Sequence, residues 1–322
     1  MLVLLWGLPT DQPLALVRER LEIAGTPYRF LDQRDVLHTD IKLVVAESVE
    51  GSVLVREEQF PLADVTGIYL RTYDSRRLTE MAHYGHGSKE WNHAARVDTL
   101  LSSWLDLTDA LVVNRIAAMA GNDSKPAQMM RIHELGWSVP ETLVTTNPAS
   151  ARAFWERHTS VIYKSVSSVR SQVSRLSTDH LPRFVDITSC PTQFQQYVAG
   201  QDFRVHVVGE QVFAAEVVSA ADDYRFDTTA VVRACTLSDE MAQRCLDLAM
   251  ALDLSLAGID LRRTPDGEWY CFEVNTSPGF SYYEHNTGQP IAQAVAHMLA
   301  SGNNVSPYAA AFRKSTPAAA NL

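Results

Sequence analysis

A chain of 322 residues with 46% hydrophobic side chains can bury sizeable cores, and its length suits two or three packed units better than one. Its 28 Lys and Arg against 38 Asp and Glu leave a formal net charge of -10, without the broad basic surface that phosphate-backbone binding needs, so no nucleic-acid partner is expected. The four cysteines, Cys190, Cys235, Cys245 and Cys271, form no C-x-x-C pair and stand at no zinc spacing with His, the pattern of reduced thiols in a cytoplasmic protein.

Residues 1–6 are apolar but lack a basic flank and stop at Gly7-Leu8-Pro9, too short to span a bilayer. They read as a buried strand, and no membrane partner is expected. Residues 13–24 carry Leu14, Val17 and Leu21 at helical spacing, Gly25-Thr26-Pro27 breaks the helix, and residues 28–31 form a second strand, a βαβ-like opening. A hairpin turning at Glu50-Gly51 is expected over residues 42–55, then a strand at 67–70, a helix at 91–105 and a strand at 110–114, closing an α/β domain over 1–117. Helices at 124–135 and 148–157 and strands at 141–145 and 161–164 predict a small α+β lid over 118–193. Strands dominate 194–302: 203–208, a turn at Gly209-Glu210, 211–219, a helix at 238–252, and a hairpin around Asp266-Gly267. The Ala-, Ser- and Pro-rich residues 303–322 read as a disordered tail.

Within that hairpin, Gly258-Ile259-Asp260-Leu261 and Tyr270-Cys271-Phe272-Glu273-Val274-Asn275 flank the turn chemistry of Thr264-Pro265-Asp266-Gly267. With an even loop of two or four residues, Asp260 faces Glu273, and Asn275 faces Gly258, whose missing side chain leaves room for a ligand. Facing acids repel unless a cation lies between them, and oxygen-liganded Mg2+ suits that place. A solvent-facing acid pair is the plain alternative. A three-residue loop would send the two acids to opposite faces.

The run Glu273-Val274-Asn275-Thr276-Ser277-Pro278-Gly279, after Gly258-Ile259-Asp260, resembles the metal-binding end of ATP-grasp ligases, particularly the branch of RimK-type glutamate ligases. The resemblance implies an ATP-grasp fold: an N-terminal α/β pre-ATP-grasp domain, a small lid and a C-terminal antiparallel-sheet domain. It implies ATP and two Mg2+ ions, with Mn2+ as a substitute, on Asp260, Glu273 and Asn275. Gln195-Gln196-Tyr197-Val198 is similar to the family's adenine hinge, with Gln196 in place of the usual acid, and Asp202-Phe203-Arg204 to the Asp-x-Arg strand after it. Lys125 and Lys164 match the two lysines that grip the nucleotide, and Arg225, in Asp222-Asp223-Tyr224-Arg225, stands where relatives carry a phosphate-touching Arg.

A narrower resemblance, to graspetide (microviridin-type) ATP-grasp synthetases of ribosomal peptides, rests on three segments. They are Val113-Asn114 with Asn122, Lys125 and Pro140-Glu141-Thr142-Leu143-Val144-Thr145; Asp223-Tyr224-Arg225; and residues 284–292 with Thr287-Gly288-Gln289-Pro290-Ile291. The motif after Glu273 is closer to the glutamate-ligase form. Residues Ser165-Val166-Ser167-Ser168-Val169-Arg170-Ser171 lack the phosphate-capping glycines of many relatives, with serine hydroxyls and Arg170 as substitutes.

The family resemblance implies an ADP-forming carboxylate–amine or carboxylate–hydroxyl ligase working through an acyl-phosphate, in which catalysis is positioning and charge neutralisation. In that scheme Arg225 assists phosphoryl transfer beside the metal residues, Lys125, Lys164, Gln196, Tyr197, Val198 and Asp202 bind nucleotide, and Asp202, Arg204 and Asp223 meet the acyl substrate. Asp202 and Arg204 share a strand face, so a structural ion pair between them is the competing reading. A ribosomal peptide, a small molecule and a protein tail stay open as substrates, a non-catalytic ATP-binding regulator stays open as a function, and a homodimer is in keeping with the family. Arg71, Arg76 and Arg77 are either a carboxylate site or a surface cluster, and His83, His86 and His93, without Cys, are not expected to hold zinc.

Overall fold

The computed structural model describes residues 1–46, 49–165, 173–219 and 229–302. Strand β1 (Leu2–Gly7) is buried along Val3, Leu4, Leu5 and Trp6, as a strand covered on both faces must be. Asp11 caps α1 (Gln12–Ile23) by accepting from the Leu14 amide, and Pro13 lies in its first turn. Next come β2 (Tyr28–Asp32), an antiparallel side sheet of β3 (Thr39–Val45), β4 (Val49–Val55) and β5 (Glu58–Pro61), then β6 (Val65–Arg71), α2 (Lys89–Leu107) and β7 (Leu111–Val113). The main sheet is parallel, in the order β2-β1-β6-β7. The hairpin expected to turn at Glu50-Gly51 turns between Val45 and Val49 instead, and both residues lie in β4. Gly51 serves close approach rather than turning, because a Cβ there would collide with the Lys42 carbonyl.

After α3 (Ile116–Asn122) and α4 (Lys125–Glu134), a second sheet forms from β8 (Thr142–Thr145), β9 (Val161–Ser165), β10 (Ser174–Arg175) and β11 (Thr192–Gln196), antiparallel in the order β10-β9-β11-β8. α5 (Pro148–Arg157) and the 3₁₀ segment Thr178–Ser189 cover one face, burying Phe154, Phe184 and Ile187 against Val161 and Phe194. Alternation turns Lys164, Gln193 and Gln195 to the other face. Because β11 pairs with β8 and β9, residues 194–196 lie with the lid rather than beyond the expected boundary at 193. Ile132 of α4 and Trp137 pack into the core of the third sheet.

That sheet runs β14-β13-β12-β15-β16, antiparallel throughout, from β12 (Gln201–Val208), β13 (Gln211–Val218), β14 (Val231–Cys235), β15 (Leu256–Arg263) and β16 (Trp269–Asn275). α6 (Asp239–Ala251) lies beneath it, burying Met241, Cys245 and Leu248 against Val205, Ile259 and Val274. Above it, α7 (Ser281–Thr287) ends at Gly288, whose φ is 69°, and α8 (Ile291–Ser301) follows. α8 joins Val208, Phe213 and Ala215 to Val3, Leu5 and Leu14, so one core spans the first and third units. Asp202, Arg204, Asp260 and Arg262 share that upper face but belong to neither core.

All four cysteines are free thiols, and no helix among the described residues is long and apolar enough to cross a membrane. The tail from residue 303 lies outside the described residues.

Gly67 on β6 lets α8 seat on the first sheet, since a Cβ there would stand 2.5 Å from the Leu299 carbonyl oxygen. Gly67→Ala is expected to destabilise the protein by about 1–3 kcal/mol through overpacking. Denaturant unfolding should show a lower midpoint at unchanged slope, and an unchanged midpoint would contradict this seating.

Candidate functional site

The β15–β16 hairpin builds the site, and not by the expected loop. Thr264 N–H donates to the Glu268 carbonyl and Gly267 N–H to that of Thr264, so the tip is the odd-numbered Pro265-Asp266-Gly267, with Gly267 at φ 95°. Alone, that count would part the two acids. The pairs Arg263↔Trp269, Arg262↔Tyr270 and Leu261↔Cys271 then give way to Asp260↔Glu273, leaving Phe272 as an extra residue in a β-bulge. The lower core requires it, because Cys271 and Val274, three positions apart, are both buried there, which unbroken alternation forbids. With the bulge, Asp260 faces Glu273 and Gly258 faces Asn275.

Cations already stand at both carboxylates. Asp260 Oδ1 accepts from Arg204 Nη1 at 2.6 Å, Asp260 Oδ2 accepts from Asn275 Nδ2 at 3.2 Å, and Glu273 Oε1 lies 3.8 Å from Lys125 Nζ. The space above Gly258, expected to admit a ligand, holds the Arg204 guanidinium, and a Cβ there would also sit 2.7 Å from Pro278 Cβ. Arg204, expected to meet the acyl substrate, is 6% exposed, donates from Nε to His206 Nε2 at 3.4 Å, and lies 5.6 Å from the Tyr283 ring centroid. Burial, reinforced by the Arg204 charge, holds the His206 imidazole well below its usual pKa, so it is neutral and accepts from Arg204. Its Nδ1 has no hydrogen-bond partner among the described residues.

Lys125 is aimed from α4 by a residue the sequence did not single out. Gln128, one turn on and buried, donates from Nε2 to the Val274 carbonyl at 2.8 Å and accepts from the Val274 amide at 3.0 Å. This clamp stands in for a neighbouring strand at the sheet edge, beside Glu273. The i, i+3 spacing of Lys125 and Gln128 on an amphipathic helix was the available signal.

The loop after Asn275 is tied to the first unit. Asn114 donates from Nδ2 to the Leu256 and Thr276 carbonyls, both at 2.6 Å, and accepts from Leu256 N at 3.1 Å. Arg71 pairs with Asp11 at 2.7 Å and donates to Ser277 Oγ at 2.9 Å and the Pro278 carbonyl at 3.1 Å. It does not cluster with Arg76 and Arg77, which both pair with Asp74. His93 Nε2 contacts the Val36 and Thr39 carbonyls and His86 packs at a tilt against Trp91, so these rings are engaged in packing.

In the segment expected to be the adenine hinge, Gln196 N–H donates to the Glu141 carbonyl and Tyr197 N–H to that of Ser160. Asp202 and Arg204 each find an opposite charge across the β12–β15 ladder. Arg262 donates to both Asp202 oxygens at 2.6 and 2.8 Å and to the Val198 carbonyl at 2.7 Å, lying over Tyr197 and Phe272. Arg175 lies 4.0 Å from the Tyr197 ring centroid. Lys164 stands on β9 opposite Gln193, whose buried Oε1 has no hydrogen-bond partner among the described residues. Arg225, Asp223 and residues 166–172 lie outside the described residues.

As a metal set, Asp260, Glu273 and Asn275 supply hard oxygens on one face, with Arg204 and Lys125 standing at the carboxylates; this chemistry fits Mg2+. Among the described residues no group of three His, Cys, Asp or Glu gathers.

Residues 122–299 match the model of the RimK-like ATP-grasp domain. The chain belongs to this family. A probable alpha-L-glutamate ligase of Marinobacter nauticus is 32% identical over 106 residues, 31% of this chain and 34% of that relative. Beta-citrylglutamate synthase B of Homo sapiens is 28% identical over 145 residues, 43% of this chain and 36% of that protein. The chain thus spans about a third of the length of these curated relatives. The fold extends further: this RimK-like chain superposes with a TM-score of 0.78 and 24% identity on the ATP-grasp ligase PsnB, solved with a phosphomimetic variant of its minimal precursor, Mg and ADP, covering 93% of this chain and 98% of PsnB. The macrocyclase MdnC of Microcystis aeruginosa, bound to precursor peptide MdnA, gives 0.76 at 22% identity, covering 93% and 99%.

Gln128→Met removes the clamp and leaves the buried Val274 amide and carbonyl unpaired, with an expected loss of about 1–3 kcal/mol of stability. Lys125→Met should spare stability and weaken nucleotide binding. Thermal unfolding with and without Mg-ATP separates the two, and a stable Gln128→Met would contradict the clamp.

Proposed function

We propose that this RimK-like ATP-grasp chain is an ADP-forming ligase that activates a carboxylate as an acyl-phosphate and joins it to an amine or hydroxyl of a peptide. The observation that carries the reading is the pairing of Asp260, Glu273 and Asn275 on the open face of the antiparallel sheet, with Lys125 beside them. These three oxygen donors would hold two Mg2+ ions, or Mn2+, which when bound neutralise charge on the ATP phosphates. Lys125 meets the phosphates from the sheet side and Lys164 from the lid side, and the hinge at Gln196, Tyr197 and Val198 seats the adenine. Asp202 contributes by bracing the hinge through Arg262. Arg225 and Asp223 complete the phosphate and substrate contacts by their place in the motif.

No enzyme nucleophile is required. The substrate carboxylate oxygen attacks the γ-phosphorus and ADP leaves; the acceptor nitrogen or oxygen then attacks the acyl carbon, phosphate leaves with the C–O bond electrons, and the acceptor loses its proton. Catalysis rests on holding these groups in line. PsnB and MdnC, bound to precursor peptides and similar over nearly the whole chain, support a peptide substrate. A second reading, addition of an amino acid such as glutamate, is favoured by the Asn275-Thr276-Ser277-Pro278 motif and the glutamate-ligase relatives.

Mass spectrometry of candidate acceptors incubated with Mg-ATP distinguishes them: an internal cross-link lowers the peptide mass by one water per bond, whereas ligation raises it by one amino-acid residue. Neither change, with no ADP release, would leave a nucleotide-binding regulator.

Glu273→Gln removes a metal-binding charge, and turnover is expected to fall about a hundredfold or more, the scale of losing one transition-state charge contact. Apo stability should change by less than about 1 kcal/mol, because the Lys125 pair is partly solvated. Wild-type turnover in this variant would sink the metal assignment.

A further inference from the structure

Among the described residues, Asp260 and Glu273 contribute two negative charges and Arg204 and Lys125 two positive ones, so the donor set is neutral before any metal arrives. The two cations are built differently. Lys125 reaches Glu273 at 3.8 Å on a partly exposed stem. Arg204 is fixed: Asp260 Oδ1 lies before it at 2.6 Å, neutral His206 accepts its Nε–H, Tyr283 covers it, and Gly258 makes the room it fills. Tyr283 also packs edge-on against His206, with centroids 5.0 Å apart, which closes the cage.

A caged guanidinium cannot swing away as a lysine stem can. A free divalent cation approaching Asp260 therefore meets a fixed positive charge on the same carboxylate, and the repulsion of charges at such separations outweighs what the remaining oxygen offers. The phosphates of ATP change that sum by bringing negative charge of their own.

We infer that Arg204, held by His206 and Tyr283, is a built-in counter-cation of Asp260 that keeps free Mg2+ out, so that metal enters only together with the nucleotide. The inference rests on the ATP-grasp reading proposed above. It makes Arg204 a positioning residue for metal loading rather than a substrate ligand.

Calorimetric titration of the full chain with MgCl2 alone and then with Mg-ATP tests it. Wild type should take up Mg-ATP and give no saturable heat with MgCl2. Arg204→Met should bind MgCl2 without nucleotide at least about tenfold more tightly than wild type, the sign expected when a fixed like charge is removed. Arg204→Lys, which keeps the charge on a stem free to swing away, should bind MgCl2 more weakly than Arg204→Met and more tightly than wild type, and a merely structural Arg204 would not separate these variants. If wild type binds MgCl2 alone as tightly as Arg204→Met, the inference fails, and saturable MgCl2 binding to wild type overturns it even where Arg204→Met does not fold. Failure of wild type to bind Mg-ATP would instead sink the ATP-grasp reading itself.

Discussion

The register of β16 is the constraint on which the site depends. The strand must bury Cys271 and Val274 on one side and present Glu273 and Asn275 on the other, and strict alternation cannot do both from a three-residue tip. One extra residue, Phe272, reconciles them. Gln128 then holds the edge at the peptide between Glu273 and Asn275, so the bulge cannot slide without stranding the Val274 amide and carbonyl. Core packing, rather than attraction at the acids, therefore decides that Asp260 meets Glu273.

From that register follows a line of opposite charges across the β12–β15 ladder. Asp202 faces Arg262 and Arg204 faces Asp260, so the two strands carry reversed pairs on one face. Half-buried ion pairs of this kind add little net stability, because desolvation offsets much of the attraction. Their consequence is arrangement. Arg262 links Asp202 to the Val198 carbonyl and so ties the segment after β11 to β15, the strand that carries Asp260.

The first unit completes the site from outside the matched family region. Asn114, at the end of β7, holds the carbonyl of Thr276, and Arg71, at the end of β6, holds Ser277 and Pro278. Both sit at the C-terminal ends of parallel strands, where open α/β sheets place their functional groups. Here those groups grip the loop beyond Asn275, and α8 anchors the same two units through Leu299 and Gly67.

Apolar spacing and turn residues were enough to expect the βαβ opening, the paired β12 and β13, and a hairpin bearing two acids, because these signals are local in the chain. The motifs Asp260, Glu273-Val274-Asn275 and Lys125 likewise carried the family. The odd loop was not legible, since turn residues permit several lengths, and its correction by Phe272 depends on which side chains the α6 core accepts. Nor were the partners of Asp202 and Arg204: side-chain period alone made them neighbours, whereas the β15 strand brought Arg262 and Asp260 opposite. Gln128, His206 and Tyr283 stayed silent for the same reason. Gln128 and Tyr283 act on residues distant in the chain, and His206, two positions from Arg204, is set by the Tyr283 ring packed against it; only the packing of α4, β12 and α7 around the hairpin decided what they touch.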